Sequence, residues 1–239
     1  KNLTDAKKNI ADIEALYTAQ GFMDEGGLTF MTFPFGISRI PLFFDFEPIL
    51  RQTFGYGDVP GDLASKTGYP TRGGVVRLTK TAKRVYHALV ESPELTDTML
   101  ARKISVSQRT VTKLRDRFEG SGMMKTVVVP NLKMLGFEML VFDHAKLNLH
   151  IQERQRVEIM SVLTGIKPPI FLAMGGNDIA ALTAYENFDT YRRSINEFSE
   201  VYRHDDIYTK EPKRLTFSLN EMKMLKEHVY GPIVGKMLG

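Results

Sequence analysis

The sequence predicts an α+β protein. Two observations carry that prediction. Between residues 78 and 122, apolar side chains recur at helical spacing in three short runs. From 137 to 219, strand-like and helix-like runs alternate in the order βαββαβ. A third observation sets the organisation: residues 55–74, "GYGDVPGDLASKTGYPTRGG", are broken by Gly and Pro throughout. They mark off a small N-terminal α/β unit. The chain of 239 residues is long enough for two or three compact units. Four segments follow: an N-terminal unit with linker (1–74), a helical unit (75–132), the βαββαβ unit (133–219) and a C-terminal helix and tail (220–239).

The N-terminal unit opens with a helix over 5–20, where Ile10, Ile13, Leu16 and Tyr17 fall on one stripe. Two Phe-rich strands follow, "GGLTFMTFPF" and "RIPLFFDF", bounded by Gly and Pro. In the second unit, Ala82, Val85, Tyr86, Leu89 and Val90 make an amphipathic helix that Ser92-Pro93 ends. Thr96 or Asp97 caps a short helix through Lys103, and Ser107 caps a third that runs to about Glu119, with Gly122 suited to its exit. "MMKTVVVPNLKMLGF" then reads as a small β-wing. In the third unit, strands are expected at 137–147, 169–174, 179–185 and 214–219, and helices at 153–164 and 189–203. The order is that of a ferredoxin-like fold. A last helix, 220–229, is stopped by Gly231-Pro232.

Charge is unevenly placed. Residues 75–132 carry 11 Lys/Arg against 5 Asp/Glu, an excess larger than the +4 of the whole chain. That concentration points to a polyanion as partner. In the helix after Ser107, Val111, Leu114 and Phe118 face inward, so Gln108, Arg109, Thr112, Lys113 and Asp116 turn outward. The preceding helix offers Leu100, Ala101 and Ile104 to its mate, with the small Ala101 at the crossing, and Ser105-Val106 makes the turn. This is a helix-turn-helix whose second member is free to enter a major groove. With the wing, it is a winged helix-turn-helix. Ser107, Gln108, Arg109, Thr112 and Lys113 are the candidate contacts to duplex DNA, flanked by Arg115 and Arg117.

The run "RVYHALVESPELTDTMLARKISVSQRTVTKLRDRFEGSGMMKTVVVPNLKMLGFEMLVF" resembles the winged helix-turn-helix of the leucine-responsive regulator (Lrp/AsnC) family. "MGGNDIAALTAYENFDTYRRSINEF" is similar to that family's effector-binding domain. The resemblance covers about residues 78–219. It implies a transcription regulator that is a homodimer or higher homo-oligomer, with small-molecule effectors such as amino acids held between effector domains. Gly175, Gly176 and Asp178 occupy the loop where the resemblance places an effector, although Gly-Gly-Asn-Asp is also good chemistry for a plain β-turn. Ser105 stands where such turns often have Gly, and residues 1–74 have no counterpart in the family pattern.

Other chemistry is weighed against these readings. The chain has no Cys, which rules out disulfides and thiolate catalysis. No apolar run approaches the roughly 18 residues of a membrane span. A cytoplasmic, membrane-free protein is expected. His144, His150 and Glu153 lack the spacing of metal ligands. No nucleophile elbow or phosphate-binding loop is present, so no enzyme, catalytic residue, metal or cofactor is expected. The alternative is an Lrp-like protein turned to tetrapyrrole (siroheme or heme) metabolism, which would make the basic helix face incidental.

Overall fold

A computed structural model describes residues 3–19, 31, 33, 38–56, 77–202, 207–222 and 230–238. Its compact units are residues 1–33 and 34–239. In the first, helix α1 spans Leu3–Ala19, close to the expected 5–20. Most of the strand expected at 26–35 lies outside the described residues, as do positions 57–74 of the linker.

The second unit is built on one antiparallel sheet. Strands β1 (Arg39–Phe43), β2 (Met139–Lys146), β3 (Phe171–Gly175), β4 (Asp178–Tyr185) and β5 (Lys213–Ser218) lie in the order β1-β3-β4-β2-β5. Between them come α2 (Glu47–Phe54), the trio α3 (Lys80–Glu91), α4 (Asp97–Lys103) and α5 (Gln108–Gly120), and then α6 (Glu153–Ile166) and α7 (Phe188–Tyr202). The stretch β2-α6-β3-β4-α7-β5 keeps the expected βαββαβ order.

One strand is added to that pattern. β1, read from sequence as part of a separate N-terminal unit, pairs with β3 through Leu42↔Leu172 and Phe43↔Phe171. Its central residues Ile40, Pro41 and Leu42 are buried. Pro41 cannot donate to a ladder, which an edge strand tolerates. The pairing shields the otherwise open edge of β3, whose inner residues Leu172, Ala173 and Met174 are buried. Leu42, Leu172, Met174 and Ile179 then pack with Met160 of α6, Leu147 and Ile207 into one core. A second cluster joins Phe46, the N-cap of α2, and Ile49 within it to Phe137, Ile170 and Ala184.

Two further expectations change. The β-wing is absent: residues 123–138 contain no strand. Met123 and Met124 pack back onto the three-helix core, and Val127 and Leu132 pack onto the α2 cluster. The β-branched run therefore bridges two apolar surfaces, while Val128 and Val129 stay exposed. At the C-terminus, Gly231-Pro232 opens a helix, α8 (Gly231–Leu238), where it was expected to close one. Proline in a first turn removes an N–H that has no helical partner. The helix expected at 220–229 falls largely on residues 223–229, outside those described. α8 lies against α3, close enough that a Cβ on Gly235 would stand 3.2 Å from His87 Nε2.

Candidate nucleic-acid interface

Three helices position the site, and each begins with a hydroxyl cap. Thr79, Thr96 and Ser107 accept hydrogen bonds from the backbone N–H groups of Ala82, Met99 and Thr110, at 3.3, 3.3 and 3.2 Å. Each satisfies one donor that the first helical turn would leave unpaired. Val85, Leu89, Leu100, Ala101, Val111 and Phe118 are buried between the helices. Tyr86 stacks edge-on against Phe118 with centroids 5.2 Å apart, and its hydroxyl donates to the Met123 carbonyl oxygen.

The turn between α4 and α5 is a Schellman cap. The Val106 N–H reaches the Ala101 carbonyl at 3.0 Å and the Ser105 N–H reaches that of Arg102 at 3.3 Å. Such a cap needs one left-handed residue. Ser105 takes that role with φ 52°. α5 ends in the same way: Gly122 has φ 70°, and Met123 N–H bonds to the Phe118 carbonyl at 2.9 Å. Arg84 adds a cation at the α4 C-terminus by donating to the Ile104 carbonyl oxygen.

Asp97 at the start of α4 fixes the outer face of α5. Its carboxylate accepts from Thr112 Oγ1 at 2.6 Å and from Arg115 Nε at 2.8 Å. The Asp97 and Arg115 side chains are 19% and 22% exposed. Burial works to raise the Asp97 carboxyl, but the hydrogen bonds from Thr112 and Arg115 and the guanidinium charge outweigh it and hold it below the ordinary aspartate value. Thr112 and Arg115, both read from sequence as DNA contacts, are thus tied to the neighbouring helix. Ser107 is engaged as the cap. Gln108, Arg109, Lys113 and Arg117 are exposed and make no side-chain hydrogen bond or ion pair among the described residues. Gln108, Arg109 and Lys113 share a shallow open hollow with Thr112 and Asp116.

The second predicted site lies at the β3–β4 turn. Gly175 pairs with Asp178, which leaves Gly176 and Asn177 as a two-residue hairpin loop. Gly176 has φ 58°, as glycine at the first central position of a II′ turn would. Arg156 of α6 donates to the Gly176 carbonyl and, at 2.9 Å, to Asn177 Oδ1. Gly175, Gly176 and Asp178 line a cavity of about 270 Å³ that also receives Arg39 of β1 and Arg156. Asp178 is not free in it: its Oδ1 lies 2.9 Å from His144 Nε2. Sequence reasoning named Asp97 only as a helix cap and missed Arg156; each acts on partners from another element, and Arg39 reaches the cavity from β1. Among the described residues, no three His, Asp or Glu side chains converge on a metal-sized site, and no helix is long and apolar enough to cross a membrane.

No family model and no curated protein matches the chain. Among solved structures it is similar to E. coli AsnC, at 15% identity and TM-score 0.47 over 64% of this chain and 99% of that one. It is also similar to a Neisseria meningitidis transcriptional regulator solved with L-Met, at 12% identity and TM-score 0.48 over 63% and 94%. B. subtilis LrpC aligns at 18% identity and TM-score 0.45 over 63% and 100%. Two more of the similar structures, from Agrobacterium tumefaciens and Pyrococcus furiosus, are AsnC-family transcriptional regulators.

Proposed function

We propose that this chain is a sequence-specific DNA-binding transcription regulator: a helix-turn-helix joined to a ferredoxin-like domain with one extra edge strand. The observation that carries the reading is the outer face of α5. There Gln108, Arg109, Lys113 and Arg117 stand exposed and, among the described residues, unpaired, while Asp97 ties the helix itself to α4. Amide and guanidinium groups on such a face read base edges, and Lys113 and Arg117 meet phosphates. The contact set is therefore narrower than the one the sequence offers. Thr112 and Arg115 orient the helix, and Ser107 caps it.

The protein acts as a dimer in this reading, because one recognition helix covers only a short half-site. The pairing register puts Leu140, Phe142, Leu182, Leu215 and Phe217 on one sheet face; Leu140 and Leu182 pack against the α2 cluster, while Leu215 and Phe217 towards the β5 edge are 56% and 40% exposed. That apolar face supplies the two-fold contact. The cavity at the β3–β4 turn suits a small carboxylate such as an amino acid. Arg39 and Arg156 supply positive charge, and the second Asp178 oxygen is left for an ammonium. A ligand there alters DNA binding only by favouring one arrangement of the two recognition helices.

The test uses duplex oligonucleotides that the protein itself selects from a random pool. A folded Arg109→Ala/Lys113→Ala variant should bind the selected duplex at least about tenfold more weakly, with a shallower salt dependence. Light scattering on the parent should give a dimer mass, and adding amino acids one at a time should shift the affinity in at least one case. Unchanged binding by the double variant would refute the DNA-reading face. A monomer that still binds tightly would refute the two-fold arrangement, and no response to any amino acid would leave the β3–β4 loop as a turn alone.

A further inference from the structure

A further cavity in the described sheet domain lies away from the β3–β4 turn. It lies between the sheet and helices α6 and α7 and measures about 330 Å³. This is roughly twice the ~150 Å³ cavity that holds a benzene. Leu172, Ile179, Ala181, Met160, Leu163 and Phe198 supply its apolar wall. Such a space in a well-packed interior calls for an explanation, because close packing is the norm.

Two hydroxyls in this wall are unusual. Tyr185 and Thr183, neighbours on one face of β4, are only 1% and 4% exposed. Neither hydroxyl has a hydrogen-bond partner among the described residues, and both line the cavity. Neither oxygen is sealed off by protein: both reach the cavity and are available to a molecule that enters it. Burial, chiefly, together with the Asp143 charge, pushes the Tyr185 phenol up, so it keeps its proton and remains a donor.

Two charge pairs in the cavity wall are already satisfied, while the remaining charge, Glu211, stands exposed to solvent where an ion pair gains little. Arg214 Nε donates to Asp143 Oδ1 at 2.9 Å, and Lys167 Nζ donates to both Glu186 oxygens at 2.7 and 3.0 Å. A charged ligand would have to separate one of these pairs and strand its partner in a half-buried site. An uncharged one leaves both intact. The thioether of Met160 and the rings of Tyr185, Tyr208 and Phe198 favour a flat aromatic body over a branched aliphatic one. Ser199 and Glu211 are exposed and mark the side open to solvent.

We propose that this cavity binds a small uncharged aromatic molecule of about ten heavy atoms with one polar group that engages the Tyr185 and Thr183 hydroxyls. The site is separate from the turn cavity and from the DNA-facing helix. It does not depend on either reading.

Indole is the probe: neutral, aromatic, with a single N–H donor. The chain has no Trp, so indole fluorescence excited beyond the tyrosine band reports binding without interference. The expected result is a saturable blue shift with one indole per chain. Ala181→Leu, which fills the cavity, should weaken binding about tenfold or more. Tyr185→Phe, which keeps the shape and removes the hydroxyl, should weaken indole binding about three- to tenfold while leaving toluene binding, followed by its competition with indole, unchanged. Circular dichroism checks that the variants fold. No saturable shift in the parent up to the solubility of indole overturns the proposal. So does parental indole affinity in a folded Ala181→Leu. Should Ala181→Leu fail to fold, Tyr185→Phe decides: equal indole affinity in parent and variant rejects the polar contact and with it the site.

Discussion

The contacts that lock α4 to α5 join Asp97 to Thr112 and Arg115, 15 and 18 residues away. In the sheet domain, Gln52 Nε2 at the end of α2 donates to the Ile166 carbonyl 114 residues on, and Thr53 donates to Glu186 133 residues on. The helical trio thus assembles from neighbours in sequence. The sheet closes only when residues 39–54 return across most of the chain. Closing a long loop costs conformational entropy before any contact rewards it. The trio therefore buries an apolar core made by near neighbours and fixed by caps, one turn and a local ion pair, whereas the β1 edge buries apolar area against a distant strand.

This contrast can be tested by removing one element from each side. The largest effect should come from Leu42→Ala. Leu42 is fully buried in the α6 core, and its truncation should cost about 2–5 kcal/mol in urea denaturation. A loss below about 1 kcal/mol would mean that β1 merely rests on the sheet.

Asp97→Ala should come next. It removes two charge-assisted hydrogen bonds and leaves Thr112 and Arg115 without their acceptor, at a cost of about 1.5–3 kcal/mol. The pH dependence sharpens the point. The Asp97 carboxyl is held below its ordinary 3.8 in the folded chain. Its contribution is thus fully present above that value and is lost as pH falls through the lower, folded one. Parent and variant should differ in stability at neutral pH and converge in acid. A constant gap down to pH about 2 would contradict the assignment.

The smallest effect should be a gain. Ser105 adopts a left-handed backbone that Gly122, at the equivalent cap of α5, adopts without a Cβ. Ser105→Gly should relieve part of that strain and stabilise the chain by about 0.5–1 kcal/mol, after allowing for the looser unfolded chain. An unchanged or lower Tm would show that the Ser105 side chain contributes something that outweighs the strain.

The helices were legible because their signals are short-range. Thr79, Thr96 and Ser107 announce starts, Gly122 announces an end, and the apolar stripe of Val111, Leu114 and Phe118 fixes which face turns outward. Ser105 was legible too, as an exception in a place that prefers Gly. The Gly176 turn could be read from its residues alone. The "wing" misled because β-branched Val127–Val129 favours extended backbone without specifying a partner strand. Gly231-Pro232 misled because the same pair can end one helix or begin another, and the choice depends on what α8 packs against. Thr112 and Arg115 look like DNA contacts on a helical wheel. Only the position of Asp97 on the adjacent helix shows them engaged, as His144 does for Asp178.

By itself, then, the sequence determined where α3, α4 and α5 start and stop, the βαββαβ order, the basic face of α5 and the glycine turn between β3 and β4. Each follows from backbone and side-chain preferences within a few residues. Tertiary structure alone decided that β1 closes the sheet edge, that Arg39 and Arg156 meet at the glycine turn, and that two buried hydroxyls face an empty space. Those facts depend on register and packing between segments distant in sequence, more than a hundred residues for β1 and β3, where a one-residue slip would exchange the faces of a strand and nothing local specifies the partner.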